Sequence, residues 1–207
     1  MMNKLILFLI VFLLASTWLQ ADKLTDSYNK LLASYGKLSS WQANINQSNY
    51  FAQTDATLAS TGVFYYRKNR VAIRYHQPHE QFLLVKDGKV TVYDKSARSA
   101  VRTALTSSLQ SLNPSEIVKA YWQQSKKTLV SSAEGNTCIS LQPGGDSQAR
   151  EIRFTMKDKS GFITRLSYTD VGGNTVTLRF SGIRVNPSIP DRIWQLNLPK
   201  DIKLMEF

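Results

Sequence analysis

Two histidines, His76 and His79, lie three residues apart across Pro78, with Glu80 beside them. Imidazole and carboxylate at close spacing can hold a metal ion, but a zinc site needs three or four converging ligands and Glu80 alone does not complete one. Cys138 is the single cysteine and sits in a strand-like run, Thr137-Cys-Ile-Ser-Leu. One thiol cannot form an intramolecular disulfide, and here a buried, inert side chain is expected in place of a nucleophile. The chain carries no G-x-S-x-G, no phosphate-cradling glycine loop and no C-x-x-C, so neither a nucleophilic nor a redox centre is legible. These residues predict no enzyme, no metal and no cofactor.

The patterned part of the chain runs from Thr61 to Asp94 and reads as four short strands in a meander. Val63, Tyr65 and Arg67 alternate with Phe64, Tyr66 and Lys68, and Val71, Ile73 and Tyr75 alternate with Ala72, Arg74 and His76. Period two puts each set on one face of a strand. Gln77-Pro78 breaks the pattern, Phe82 to Val85 is a short apolar run, and Asp87-Gly88 predicts a two-residue hairpin turn, whose central residues need positive φ. Lys89 to Tyr93 is the returning strand.

Other elements flank this meander. Asp22 to Ser40 predicts a helix with one apolar stripe, Leu24, Tyr28, Leu31, Leu32, Tyr35 and Leu38, at three- and four-residue steps. Trp41, Ala43 and Ile45 then switch to period two, and Asn49 to Ser60 reads as a polar hairpin with a loose tip. Lys95 to Leu112 reads as loop. Asn113-Pro114-Ser115-Glu116 is a helix start, with proline in the first turn, and Ile117, Val118, Tyr121 and Trp122 give that helix an apolar face. From Lys127 onward the pattern is strands and turns, with Trp194, Leu196 and Leu198 expected in a final strand that ends at Pro199. The fold class is α+β, mainly β.

Composition bounds the rest. At 207 residues the chain can bury a substantial core, and no linker or repeat divides it. Residues 1–21 have a positive Lys4, an apolar run from Leu5 to Leu14 and a smaller, more polar end at Ala21. That run is short for a bilayer span and reads as a secretory signal peptide, leaving one domain over 22–207. The formal net charge is +11, and removing the signal takes away one base and no acid. The bases are spread along the strands, which describes a solvated basic surface better than a binding run. Nucleic acid is not expected as a partner of a secreted chain without a binding motif.

The order Gly62, aromatic strand, basic pair, second strand, Gln77-Pro78, apolar run, Asp87-Gly88 and Tyr93-Asp94 resembles the pattern of the LolA-like periplasmic lipoprotein carriers. The opening Leu-Ser-Ser-Trp-Gln-Ala segment and the closing Trp194, Leu196, Pro199 and Ile202 are similar to that family's ends. The resemblance implies a single curved antiparallel sheet forming an unclosed half-barrel, with a few helices as a lid over a hydrophobic cavity. It implies a cavity lined by Leu31, Tyr35, Leu38, Phe64, Tyr66, Val71, Ile73, Tyr75 and Leu84, and a lid face of Ile117, Val118 and Tyr121. The family's arginine after the aromatic strand, tied to lid contact and transfer, falls on Lys68, with Arg67 and Arg70 as substitutes. The implied protein is a periplasmic monomer that carries the acyl chains of outer-membrane lipoproteins. Its donor would be an inner-membrane ATP-binding-cassette (ABC) transporter complex and its acceptor an outer-membrane receptor lipoprotein. A LolA-like carrier or sensor for another lipid or glycolipid is the alternative. For each aromatic cited, plain sheet core is the commoner fate.

Overall fold

The computed structural model describes residues 22–68, 70–105, 113–199 and 201–207. The expected signal peptide, residues 1–21, lies outside the described residues, as does the end of the loop read at 95–112.

Twelve strands form one sheet in the order β12-β6-β5-β4-β3-β2-β1-β11-β10-β9-β8-β7. It is an unclosed, largely antiparallel, mainly β fold with two helices. After α1 (22–36), β1 (Ser40–Phe51) and β2 (Ala56–Arg67) make a long hairpin at the centre of the sheet. The meander continues through β3 (Arg70–Gln77), β4 (Gln81–Lys86) and β5 (Lys89–Asp94). The four-strand reading of 61–94 therefore holds. Asp87 and Gly88 have φ of 53° and 72°, the left-handed pair that a tight hairpin turn requires. The polar stretch from Asn49 to Ser60 is a hairpin too, but it pairs out to Phe51 and Ala56; cross-strand hydrogen bonding does not need apolar side chains.

Two expectations about the strands are corrected. The segment read as loop contains β6 (Ser99–Ala104), paired with β5. Its small and polar residues give a weak alternation, and pairing with a formed edge supplies what propensity does not. The expected final strand at Trp194 to Leu198 is instead a single 3₁₀ turn, Asp191–Trp194, followed by unpaired chain. The last strand is β12 (Lys203–Glu206), parallel to β6. Pro187, Pro190 and Pro199 remove amide donors that a ladder needs, so this segment crosses a face of the sheet instead of extending it.

The second half comprises α2 (Pro114–Trp122), β7 (Ser125–Ala133), β8 (Asn136–Pro143), β9 (Ala149–Lys157), β10 (Ile163–Asp170) and β11 (Thr175–Val185). Asn113 caps α2, its Oδ1 accepting from the Ser115 backbone N–H at 3.2 Å. That satisfies a donor the helix start leaves open. Cys138 is half-buried on β8, not enclosed as expected, because its neighbours Thr137 and Ile139 take the core-facing positions and alternation turns Cys138 the other way.

The two faces of the sheet carry separate apolar clusters. On the helix side, Leu31 and Tyr35 of α1 pack with Trp41, Phe64 and Phe180, and Val118 and Trp122 of α2 join the same core. Trp41 lies 4.5 Å from Phe64 and 5.4 Å from Phe180 between ring centres, close aromatic contacts that add to plain burial. Tyr28 of α1 stacks on Trp122 of α2 at 4.1 Å, which joins the helices. On the other face, Ala72, Phe82 and Leu84 pack under Ile189 and Trp194.

Candidate functional site

The helix-side face is filled at one end and open at the other. Along β1, Trp41, Ala43 and Ile45 are buried, and the next inward residue, Gln47, lines a cavity. Along β11 the buried Phe180 gives way to Leu178 and Val176, and along β10 the buried Ile163 gives way to Leu166 and Tyr168. Ile117 and Tyr121 of α2 face Phe64, Ile73, Tyr75 and Leu83 across a cavity of about 560 Å³, within the range of small-ligand sites.

The inner polar groups of this lining are already engaged, and Gln148 is exposed at its rim. The Tyr75 hydroxyl donates to Gln47 Oε1 at 2.6 Å, and Gln47 Nε2 donates to Asn49 Oδ1 at 3.0 Å. Burial pushes Tyr75 up to about 12. Burial, then the Tyr121 hydroxyl and Asp170, push Tyr168 to about 12. Both phenols are therefore neutral at ordinary pH. Asp170 sits at the mouth, and hydrogen bonds from Asn174 hold its carboxyl below the usual range. Its Oδ1 and Oδ2 accept the Asn174 N–H and side-chain amide, each at 2.9 Å, so it closes a turn. A wall whose polar atoms satisfy one another favours an apolar occupant over a polar one.

The mouth is fringed with exposed apolar side chains. Val171 and Val176 line it, and Leu58 continues the same face, since Asn49 pairs with Val176 on one side and Leu58 on the other. Leu58 is 59% exposed and Val171 65%.

Of the residues expected to line the cavity, Phe64, Ile73 and Tyr75 do so. Leu31, Tyr35 and Val71 lie in the packed core, and Leu38 and Tyr66 pack against it. Leu84 is corrected: it belongs to the opposite face, beside Ala72 and Trp194. The run Phe82 to Val85 is apolar throughout because the strand is covered on both faces, and such a run hides its own parity. Leu83, its neighbour, is the residue that lines the cavity. In α2, Ile117 and Tyr121 meet the cavity as expected, while Val118 is fully buried and anchors the helix. Sequence reasoning missed Gln47, Leu166, Tyr168, Val176 and Leu178. The signal for the last four was present, since period two in β10 and β11 places them with Phe180.

Lys68 is exposed in the β2–β3 turn, and no hydrogen bond or ion pair joins it to α2 among the described residues. The strand ends there, so the side chain is not drawn onto the inner face. Arg67 makes the structured contacts and points the other way. Its Nη1 donates to Asp191 Oδ1 at 3.0 Å, its Nη2 to the Ile189 carbonyl, and its guanidinium lies 5.4 Å from the Trp194 ring. Arg67→Leu should therefore lower stability in urea denaturation by about 1–2 kcal/mol, the scale of a charged hydrogen bond plus a cation–π contact. Lys68→Leu should stay within about 0.5 kcal/mol of the parent. Equal losses would mean that Arg67 does not hold the crossing segment.

An open β half-barrel with an apolar cavity between its concave face and its helices is the class this fold and site define. The family model described as outer membrane lipoprotein carrier protein LolA matches residues 36–197, and the chain belongs to that family. Outer-membrane lipoprotein carrier proteins of Cupriavidus taiwanensis and Cupriavidus necator are each 26% identical to it over 160 residues, covering 75% of this chain and 74% of the relative. An uncharacterised conserved protein from Thermus thermophilus shares the fold, with a TM-score of 0.57, 10% identity, and coverage of 89% of this chain and 99% of that one. A chain of the Pseudomonas aeruginosa MucA/MucB complex does as well, with a TM-score of 0.51, 12% identity, and coverage of 83% and 60%. The LolA family is a periplasmic, non-enzymatic carrier family whose cargo is lipoprotein. Among the described residues no helix is long and apolar enough to cross a membrane.

Proposed function

We propose that this chain is a periplasmic carrier that takes the acyl chains of outer-membrane lipoproteins into the concave cavity and moves them from the inner to the outer membrane. The observation that carries this reading is the mostly apolar lining of the cavity under α2, whose inner polar groups Tyr75 and Gln47 bond to each other. Each methylene moved out of water is worth about 0.8 kcal/mol, so acyl chains cross an aqueous compartment only under cover. The same scale limits the carrier, since a deep, fully closed site would not release its load. A shallow cavity with an apolar fringe suits both steps.

In this reading residues 1–21 are a signal peptide, 22–207 act as one domain, and the mature chain works as a monomer. It receives cargo from an inner-membrane ABC transporter complex and hands it to an outer-membrane receptor lipoprotein. Ile117 and Tyr121 form the cover that must yield when cargo enters, so the covered state is favoured over the open one by no more than a few kcal/mol.

The test is mass spectrometry of the protein purified from the periplasm. The expected result is co-purifying polypeptide acylated at its N-terminal cysteine. Free lipid or glycolipid without attached polypeptide would replace the lipoprotein reading with another lipid cargo. A protein that never carries acyl chains would overturn the carrier reading itself.

A further inference from the structure

The convex face holds a second pocket, of about 460 Å³, that the carrier reading does not use. It lies between the end of β3, the start of β4, the end of β5 and the crossing segment, and its lining includes Arg74, His76, Tyr93, Lys95, Arg192 and Leu196. We propose that this pocket binds an organic phosphate, a phosphate group borne on an apolar or aromatic body.

Three observations point there. First, its lining carries more positive than negative charge, Arg74, Lys95 and Arg192 against Glu80. Glu80 is engaged by Lys95, whose Nζ lies 2.6 Å from Glu80 Oε2. Asp94 stays ionised, held by Ser96, the Ala97 N–H and Gln81, but does not line the pocket, and Asp191 pairs with Arg67. Arg74 and Arg192 have no carboxylate partner among the described residues. Two guanidinium groups match a phosphate dianion better than the single charge of a carboxylate, and the planar fork suits its oxygens.

Second, Arg74 is held in place with a donor to spare. Its guanidinium lies 4.5 Å from the Phe82 ring, and Nη2 donates to the Arg192 carbonyl at 3.2 Å. Its Nη1 makes no hydrogen bond among the described residues, and that donor is left for a phosphate oxygen.

Third, the walls are mixed. Phe82, Tyr93 and Leu196 give apolar surface, and Gln195 and Asn197 add amides at the crossing segment. That composition fits an ester with a carbon body better than inorganic phosphate. The proposal does not rest on the carrier reading, because the two pockets lie on opposite faces of the sheet.

The experiment titrates the purified full chain with phenyl phosphate by calorimetry and, separately, measures its co-sedimentation with phosphatidylglycerol vesicles. Arg192→Ala keeps the backbone carbonyl that holds Arg74, and Arg74→Lys keeps the charge while removing the fork. Each should weaken binding about tenfold, the effect of one lost charged hydrogen bond, with an unchanged thermal melt for the exposed Arg192→Ala. Arginine-dependent binding to phenyl phosphate alone supports the site with a soluble ligand. Arginine-dependent binding to vesicles supports it with a lipid headgroup. No saturable binding to either probe, or binding that both variants retain in full, overturns the proposal.

Discussion

Ile73→Glu should abolish acyl-chain loading and cost a few kcal/mol of stability at neutral pH. Ile73 is 4% exposed and lines the concave cavity, with Phe64 and Leu83 opposite it on the two neighbouring strands. A carboxylate there has no cation within the lining to pair with, and an ionised group without a partner is strongly disfavoured in an apolar setting. Burial would raise its folded pKa above the unfolded value of about 4.3. The folded state then binds more protons than the unfolded one between the two values, so the penalty is absent below about pH 4 and grows as pH rises through the folded pKa. Chemical denaturation at pH 4.5 and pH 7.5 would read this out, with the variant closer to the parent at the lower pH. Ile73→Leu, which conserves volume, should load lipid as the parent does. A well-folded Ile73→Glu that still carries lipoprotein would mean that cargo sits elsewhere.

Gly62→Ala should destabilise the fold by about 3 kcal/mol or more, far above the typical surface substitution. A Cβ at this position would stand 2.3 Å from the Arg74 carbonyl oxygen and 2.9 Å from both the Arg74 carbonyl carbon and the Tyr75 Cα. All three are backbone atoms, so no rotamer change relieves the clash. The register of β2 on β3 shifts between Thr61 and Gly62, which brings the two strands together closely. Forcing them apart disturbs the pair that carries Phe64, Ile73 and Tyr75, so lipid loading should fall along with the melting temperature. Gly36→Ala is the matched control. It sits at the end of α1, where an alanine Cβ would meet nothing within 4 Å, and helix propensity favours alanine there by up to about 1 kcal/mol. If the two variants melt alike by circular dichroism, close strand contact at Gly62 is not what the fold requires.

What could be read in the sequence was local. Period-two alternation in β2 and β3, the Asp87-Gly88 turn and the helix start at Asn113-Pro114-Ser115-Glu116 each lie within a few residues, and each formed where expected. The physics at those places is steric or single-bond, and distant chain does not alter it. The pairing of inward residues followed, so Phe64, Ile73, Tyr75, Ile117 and Tyr121 were legible as lining residues of the cavity. The tertiary structure decided the rest. Leu84 could not be separated from Leu83, because only the crossing segment with Ile189 and Trp194 makes both sides of β4 apolar. Trp194 read as strand, since its neighbours alternate, yet it packs flat across a face that another part of the chain provides. The division of the inner face into core and cavity is the same kind of fact. Trp41 and Ile45 are buried while Gln47 is not, because the former pack in one core with Leu31 and Tyr35 of α1 and the latter lines the cavity with Ile117 and Tyr121 of α2. Local pattern sets which way a side chain points; the reach of distant helices sets whether it meets a neighbour or a space.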